Sequence, residues 1–384
     1  MDEATQPSNL EVRAAWIEAA RPRTLPLAAS GSFIAAGVAA AAGSFRLEIL
    51  VLMLLVSALL QVIANFADDY GDLSHGLDDE TRVGPKRGMQ RGIITPAQMR
   101  VALIVTCACA LALGVFLIYV SLSTGPALSG DTATAAAILL VLGVAEHQAP
   151  APAVAAIAAA VLYTVGPHPY GYQGLGDLMS FIFFGLVAVV AGSFLHTHTL
   201  GLDALVMGIA LGMPVAAVMN INNMRDATDD AAKGKRTIAN RLYAAGERRG
   251  RTLAAGRTDE QIAAMAPVVE HGPRAEAAIA PGGMAGAATR LAALTGKRYM
   301  RIYHAVLIYA ALILFCAGLF LARGASLATC LGAAAVCLAA MPLFQALSGV
   351  THELDHTKLD RFMAPTSMGT VLVAIVWTLA CALI

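Results

Sequence analysis

Two stretches of the chain set carboxylates directly after long apolar runs, in a spacing that could do metal chemistry. The first is Asn65-Phe-Ala-Asp68-Asp69-Tyr70-Gly-Asp72, continuing to Asp78 and Asp79, and the second is Asn220-Ile-Asn222-Asn223-Met-Arg225-Asp226-Ala-Thr-Asp229-Asp230. Aligned on Asn65 and Asn222, Asp69 falls on Asp226 and Asp72 on Asp229. On a helix Asp69 and Asp72 share a face, as do Asp226 and Asp230. Carboxylates packed this way repel one another unless a cation lies between them. Hard oxygen donors with no His or Cys among them suit Mg²⁺, whose coordination is usually completed by water and substrate phosphates. Basic residues follow each cluster: Lys86, Arg87 and Arg91 after the first, Lys233, Lys235, Arg236 and Arg241 after the second. They could hold the phosphate oxygens that metals do not reach. Acid then base, twice over, reads as a magnesium diphosphate site at the mouth of an apolar cavity. The plainer alternative is a pair of solvated loops. Two aligned, amide-rich clusters argue against it, because buried amides so near a membrane need partners.

The elements that must position these groups are membrane helices. The chain has 384 residues, 58% of them hydrophobic and only 14% charged, with a mean hydropathy of +0.67. That composition excludes an ordinary soluble domain. An Asp near the centre of a bilayer helix costs roughly 2.5 to 3.5 kcal/mol, so acidic clusters at helix ends require compensation. The six cysteines all lie in apolar runs with no CxxC pair, and imply neither disulfides nor a zinc site. Asp2 and Glu3 and the absence of an apolar h-region predict no cleavable signal peptide.

Ser8 and Glu11 form a capping-box pattern at the head of an amphipathic helix within residues 1–22, expected to lie at the membrane interface. Spans are expected near 25–42, 48–66, 101–121, 178–195, 201–220, 302–321, 325–347 and 368–384. Residues 132–164 form either one span with an insertion around 145–153 or two short ones. Positive charge separates these readings. With a single span there and the N-terminus inside, 24 of the 26 Lys and Arg residues fall on inside segments, leaving Arg46 and Arg323 outside. The expected fold is therefore a single all-α, polytopic membrane bundle of about nine transmembrane helices over residues 1–384, with both acidic clusters on the cytoplasmic face. Residues 243–298 form a polar insert with no sustained period of 3.6 or 2, expected to be a partly helical or mobile cytoplasmic excursion.

At the acidic clusters the chain resembles the UbiA superfamily of intramembrane prenyltransferases, and within it the 1,4-dihydroxy-2-naphthoate polyprenyltransferase branch. The resemblance is carried by Trp16 with Arg21-Pro22-Arg23-Thr24-Leu25, by Gly84 to Gly92, by Tyr163 to Asp177, and by Asn222 through Thr237. The chain has Asp68 where many members have Asn, and the 243–298 insert replaces a short join. What the resemblance implies is a bundle around a central cavity open sideways to lipid. The implied reaction is Mg²⁺-assisted loss of diphosphate from a polyprenyl diphosphate, attack by an electron-rich aromatic acid, and loss of the ring carboxylate to give demethylmenaquinol. On that basis Asp69, Asp72, Asp226 and Asp230 are the expected metal ligands, with Asp68 and Asp229 as possible ones. Asn65 and Asn222 stand close behind; Lys86, Arg87, Arg91, Lys235 and Arg236 would hold diphosphate. Arg23 and Tyr163 could face the aromatic acid or the cation, although Tyr163 reads equally well as an interfacial anchor. The partners implied are polyprenyl diphosphate, an aromatic acid and the lipid bilayer, with no nucleic acid.

Other readings remain open from the sequence. Another acceptor, such as 4-hydroxybenzoate, is one; an ion-coupled transporter is another, since intramembrane acids mark ion pathways. His352-Glu353-Leu354-Asp355-His356 fits the H-E-x-x-H pattern of a zinc protease. Gly171 to Gly176 lacks the strand-helix setting of a dinucleotide fingerprint. His196 and His198 are expected to be polar residues at the outer end of a span.

Overall fold

The structure, a computed structural model, describes residues 7–74, 87–124, 151–166, 169–269, 286–353 and 355–384. Every regular element among them is helical. Helix α1 (Asn9–Ala20) starts with the expected capping box. The Ser8 hydroxyl accepts from the Glu11 N–H at 3.3 Å, and the Glu11 carboxylate accepts from the Ser8 N–H at 2.8 Å. Ala15 and Ala19 are its buried positions, and Trp16 meets Phe66 edge-on at 5.7 Å. Leu10 and Ile17 point outward.

Helices α2 (Leu25–Ala41), α3 (Leu47–Ser74) and α4 (Pro96–Thr124) follow, then α5 (Ala151–Leu162). Helix α6 covers Gly176–Thr197 and contains a π-helical segment, Phe181–Val187. Next come α7 (Leu202–Arg225), α8 (Ala227–Ala232), α9 (Ile238–Ala254), α10 (Asp259–Val269) and α11 (Ala287–Arg323). Helices α12 (Leu327–Ala339), α13 (Met341–His352) and α14 (Met363–Leu383) complete the chain, with a 3₁₀ segment, His356–Phe362, before the last. Six helices, α3, α4, α6, α7, α11 and α14 with its 3₁₀ lead-in, are long and apolar enough to cross a membrane. The count reaches eight if α1 with α2, bent by 42°, and α12 with α13, bent by 40°, each make one span. The expected nine is thus not reached among the described residues. Residues 125–150, where the ambiguous stretch begins, lie outside them, and α5 is described only from Ala151 onward. The expected continuous span at 325–347 is broken at Ala340, where Pro342 in the first turn of α13 has no N–H for a helix running through.

Lipid-facing surface is plain on α4 and α11, where Ile104 and Ile313 are each 68% exposed amid other exposed aliphatics. In water such faces would aggregate; in a bilayer they need no partner. Inside, where lipid removes much of the hydrophobic drive, small residues and interhelical hydrogen bonds close the packing. Helix α2 buries Gly31, Ala35, Ala36 and Gly37, and packs on α14. The Thr378 hydroxyl donates to the Phe33 carbonyl at 2.6 Å, and the fully buried Trp377 indole to the Phe315 carbonyl at 3.1 Å.

The described part of the polar insert is helical and carries a period that the sequence reading missed. Helix α9 buries Ala239, Gly246, Gly250 and Ala254, a stripe of small residues laid along the start of α11. A Cβ on Gly246 would lie 2.5 Å from the Thr295 carbonyl oxygen, and one on Gly250 2.5 Å from Ala292 Cα. At 37 residues α11 is about 55 Å long. A bilayer core of about 30 Å accounts for only part of that, so its first turns project beyond it with α9 alongside. Residues 270–285 of the insert lie outside the described residues.

Candidate active site

Helices α2 to α7 surround a cavity of about 430 Å³. At one end it is lined by Arg21, Asn65, Asp68, Asp72, Arg87, Tyr163, Asn222, Arg225, Asp226, Asp229, Asp230 and Lys235. Farther in, the lining becomes apolar: Leu60, Val56 and Met53 on α3, Leu117 on α4, Phe184 and Leu195 on α6, and Val215 on α7. Asp72 and Met53 stand roughly 28 Å apart along α3, close to the thickness of a bilayer core.

The first acidic cluster is built around Asp69, which is 2% exposed. Its Oδ1 accepts from Arg21 Nη2 at 2.7 Å and pairs with Arg87 Nη1 at 2.7 Å. Arg21 also reaches Asp68 Oδ2 at 3.1 Å, and Arg87 reaches Asp72 Oδ2 at 3.3 Å. Arg21 is carried there by a left-handed backbone, φ 49°, that ends α1 and turns the chain into α2. Asn65 fixes that corner: its amide nitrogen donates to the Ala20 carbonyl at 2.9 Å and to the Thr24 hydroxyl at 3.2 Å, while its oxygen accepts from Gln61 at 3.0 Å. Asn65, expected to meet substrate, thus lines the cavity and also seats the arginine. Gly71 lets α3 touch the chain beyond α5, since a Cβ there would lie 2.4 Å from the Thr164 carbonyl oxygen.

The second cluster is built around an arginine. Arg225, at the end of α7, donates from Nε to Asp226 Oδ1 at 2.7 Å and from Nη2 to Asp226 Oδ2 at 2.6 Å and Asn222 Oδ1 at 2.9 Å. The short α8 then presents Asp229 to Lys233 at 3.3 Å and Asp230 to Lys235 at 3.4 Å. Burial, opposed by Lys235, pushes the Asp230 carboxyl up to about 6. Burial alone would lower the Lys235 ammonium, but Asp230, Asp72, Asp226 and Asp68 together outweigh it and hold it above its ordinary value. One ammonium therefore feels carboxylates of both clusters, which places the two halves at a single mouth. Asn223 is turned away from the cavity, its amide donating to the buried Asp177 at 2.7 Å, and so ties the end of α7 to the start of α6.

Several expected residues stand elsewhere. Arg23 and Arg236 are exposed and do not line the cavity, and Arg91 is spent on an ion pair with Glu18 at the surface. Lys86 lies outside the described residues. Tyr163 is part of the cavity wall, edge-on to Tyr170 at 5.4 Å with its hydroxyl 3.5 Å from the Met219 sulfur. The reading missed Arg21, Arg225 and Asp177. Arg21 sits two residues from Arg23, and only the left-handed turn decides which of the two faces inward.

The H-E-x-x-H pattern does not form a zinc helix. Helix α13 ends at His352, and Glu353 is extended, with ψ 115°. Its carboxylate accepts from Arg361 and its carbonyl from Arg301, so this segment is a structural tie. His196 and His198 lie at the far end of the bundle, as expected. There the Arg46 N–H donates to His196 Nδ1 at 3.2 Å, while its guanidinium binds the Ser121 carbonyl at 3.2 Å, the Thr124 hydroxyl at 3.0 Å and the Leu195 carbonyl.

The donors at the mouth fit a hard cation. All are oxygens, and Asp68 Oδ1 is buried with no hydrogen-bond partner among the described residues. No three His, Cys, Asp or Glu side chains among those residues converge into a ready-made cage. That is the usual situation for Mg²⁺, which takes one or two carboxylates and completes its shell from substrate phosphate and water.

Comparison with known proteins identifies the family. Residues 121–268 match the UbiA prenyltransferase family. The chain is 38% identical over 235 residues to 1,4-dihydroxy-2-naphthoate octaprenyltransferase of Escherichia coli (strain K12), covering 61% of this chain and 70% of that protein. It is 41% identical over 231 residues to the enzyme of the same name from Haemophilus influenzae, covering 60% and 69%. In fold it is similar to a UbiA homolog from Aeropyrum pernix K1, with a TM-score of 0.51 and 16% identity over 90% of this chain and 96% of that one. These likenesses set aside the transporter and protease readings: the chain is a multi-pass membrane prenyltransferase and belongs to the UbiA prenyltransferase family.

Proposed function

We propose that the protein transfers a polyprenyl group from its diphosphate to 1,4-dihydroxy-2-naphthoate, with loss of the ring carboxylate, giving demethylmenaquinol, diphosphate and carbon dioxide. The observation that carries this reading is the meeting of two acidic clusters and three inward-facing cations, Arg21, Arg87 and Lys235, at the head of a deep apolar cavity. The relatives named above support the choice of acceptor.

Asp68, Asp72, Asp226, Asp229 and Asp230 would hold Mg²⁺, whereas Asp69, expected from the sequence to be a ligand, is taken up by Arg21 and Arg87 and does not line the cavity. When bound, the metal would supply Lewis-acid stabilisation of the departing diphosphate. Arg21 and Arg87, fixed by Asp69, orient the diphosphate oxygens, and Lys235 neutralises charge as the allylic C–O bond breaks. The electron-rich ring carbon then forms the new C–C bond, and the carboxylate leaves as carbon dioxide, its electron pair restoring the aromatic ring. The apolar wall from Leu60 to Met53 receives the prenyl tail, and a dry cavity shields the cation from water. The distribution of Lys and Arg supports placing this mouth on the cytoplasmic side of a bacterial inner membrane.

Membranes containing the protein, given 1,4-dihydroxy-2-naphthoate and a polyprenyl diphosphate, are expected to form the decarboxylated prenyl naphthoquinol, to stop on addition of a chelator and to resume with Mg²⁺. The same assay with 4-hydroxybenzoate distinguishes the other acceptor, and exclusive use of the benzoate overturns the assignment.

A further inference from the structure

The segment between α13 and α14, where the sequence suggested a zinc motif, closes over the second acidic cluster. Asp360, in the 3₁₀ segment His356–Phe362, accepts from Arg225 Nη1 at 2.5 Å across a sequence distance of 135 residues. The segment is firmly built. The Asp355 carboxylate caps it by accepting from the Thr357 N–H at 3.1 Å and hydroxyl at 2.6 Å. Arg361 is held by Glu353, and Phe362 packs so tightly on Gly349 that a Cβ there would lie 2.0 Å from its ring.

A guanidinium has five N–H donors. Arg225 commits one from Nε and two from Nη2 to Asp226 and Asn222, and one from Nη1 to Asp360. With four of its five donors engaged, it serves first as a frame for its neighbours, although it also lines the cavity. Charge gives the frame a purpose. Arg225 with Asp226 alone is a neutral pair, in which the Asp226 charge is spent. With Asp360 added, the group carries one net negative charge, and Asp226, which lines the cavity where Asp360 does not, can present it to a cation.

We propose that Asp360 is a positioning residue for the metal and diphosphate site: by sharing the Arg225 charge it leaves Asp226 anionic toward the bound metal. This rests on the magnesium diphosphate reading above. The Asp360 side chain is 54% exposed whereas Arg225 is 9% exposed, so the aspartate can be changed without opening the core.

The test is a titration of the purified full-length protein with Mn²⁺ in the presence of inorganic diphosphate, read by electron paramagnetic resonance without turnover. Asp360→Asn is expected to weaken Mn²⁺ binding roughly tenfold, the scale of one charge-assisted hydrogen bond, with an unchanged melting temperature. Asp360→Glu is expected to restore most of it. The double variant Asp360→Asn with Arg225→Gln is expected to regain affinity relative to Asp360→Asn alone, because the cation needing balance has gone. Unchanged binding in Asp360→Asn, or no recovery in the double variant, overturns the inference. Equal binding by the wild type and Asp226→Asn overturns the metal reading itself.

Discussion

The two acidic clusters occupy matching places in the sequence and are built with opposite polarity. In the first, one buried carboxylate, Asp69, holds two arginines drawn from the α1–α2 corner and from the segment before α4. In the second, one buried arginine, Arg225, holds two carboxylates, Asp226 and Asp360. Guanidinium groups therefore reach the cavity mainly from the first half, beside Asp68 and Asp72, and carboxylates mainly from the second, beside Lys235. A ligand that combines cations with an anion, as a metal diphosphate does, meets complementary charge from both sides, which two identical halves would not offer.

The largest way to break this comparison is to remove one carboxylate from each cluster, the hub Asp69 of the first and the cavity-lining Asp226 of the second. Asp69→Ala and Asp226→Ala are each expected to cut turnover by about 10²- to 10³-fold or more, while immunoblotting shows the protein still in the membrane. Equal and full activity in either refutes the paired-cluster site. A sharper comparison sets Arg21→Ala against Arg225→Ala. Arg21→Ala is expected to raise the KM for prenyl diphosphate about 10- to 100-fold with little change in thermal unfolding, because Arg87 still pairs with Asp69. Arg225→Ala leaves Asp226 and Asp360 without their cation and is expected to lower stability by about 2 to 3 kcal/mol, read as melting temperature in detergent. Asn65→Ala loosens the corner that seats Arg21, with an expected loss of about 1 kcal/mol of stability and a smaller rise in the same KM. The smallest effect is expected where the sequence pointed and the cavity does not reach: Arg23→Ala, Arg91→Ala and Arg236→Ala should each stay within about twofold of wild-type kcat/KM.

Long apolar runs made the helices legible, and the acidic motifs made the site legible, because both signals are local. Missed features depended on geometry between elements. Arg21 and Arg23 are equivalent as letters, and the left-handed backbone of Arg21 itself sets them apart. The α9 stripe of Ala239, Gly246, Gly250 and Ala254 escaped notice because its packing face is marked by smallness instead of hydrophobicity. The H-E-x-x-H pattern fitted only as spacing; Glu353 leaves the helix, and spacing has no meaning as a helical face once the helix ends. The count of nine spans stops at up to eight among the described residues: hydropathy hid the bend at Pro342, and the ambiguous stretch at 132–164 begins in residues outside those described.

Arg46 stands at the opposite end of the bundle from the chemistry, tying the last turns of α4 and α6 together through Ser121, Thr124 and Leu195. Leu195 is also among the deepest residues of the cavity. The knot that fastens these helix ends is thus the stopper of a vessel with its mouth at the acidic clusters. If the proposed allylic cation forms in this cavity, loosening the seal with Arg46→Ala is expected to admit water at its far end and raise the share of prenyl alcohol among the products, read by chromatography.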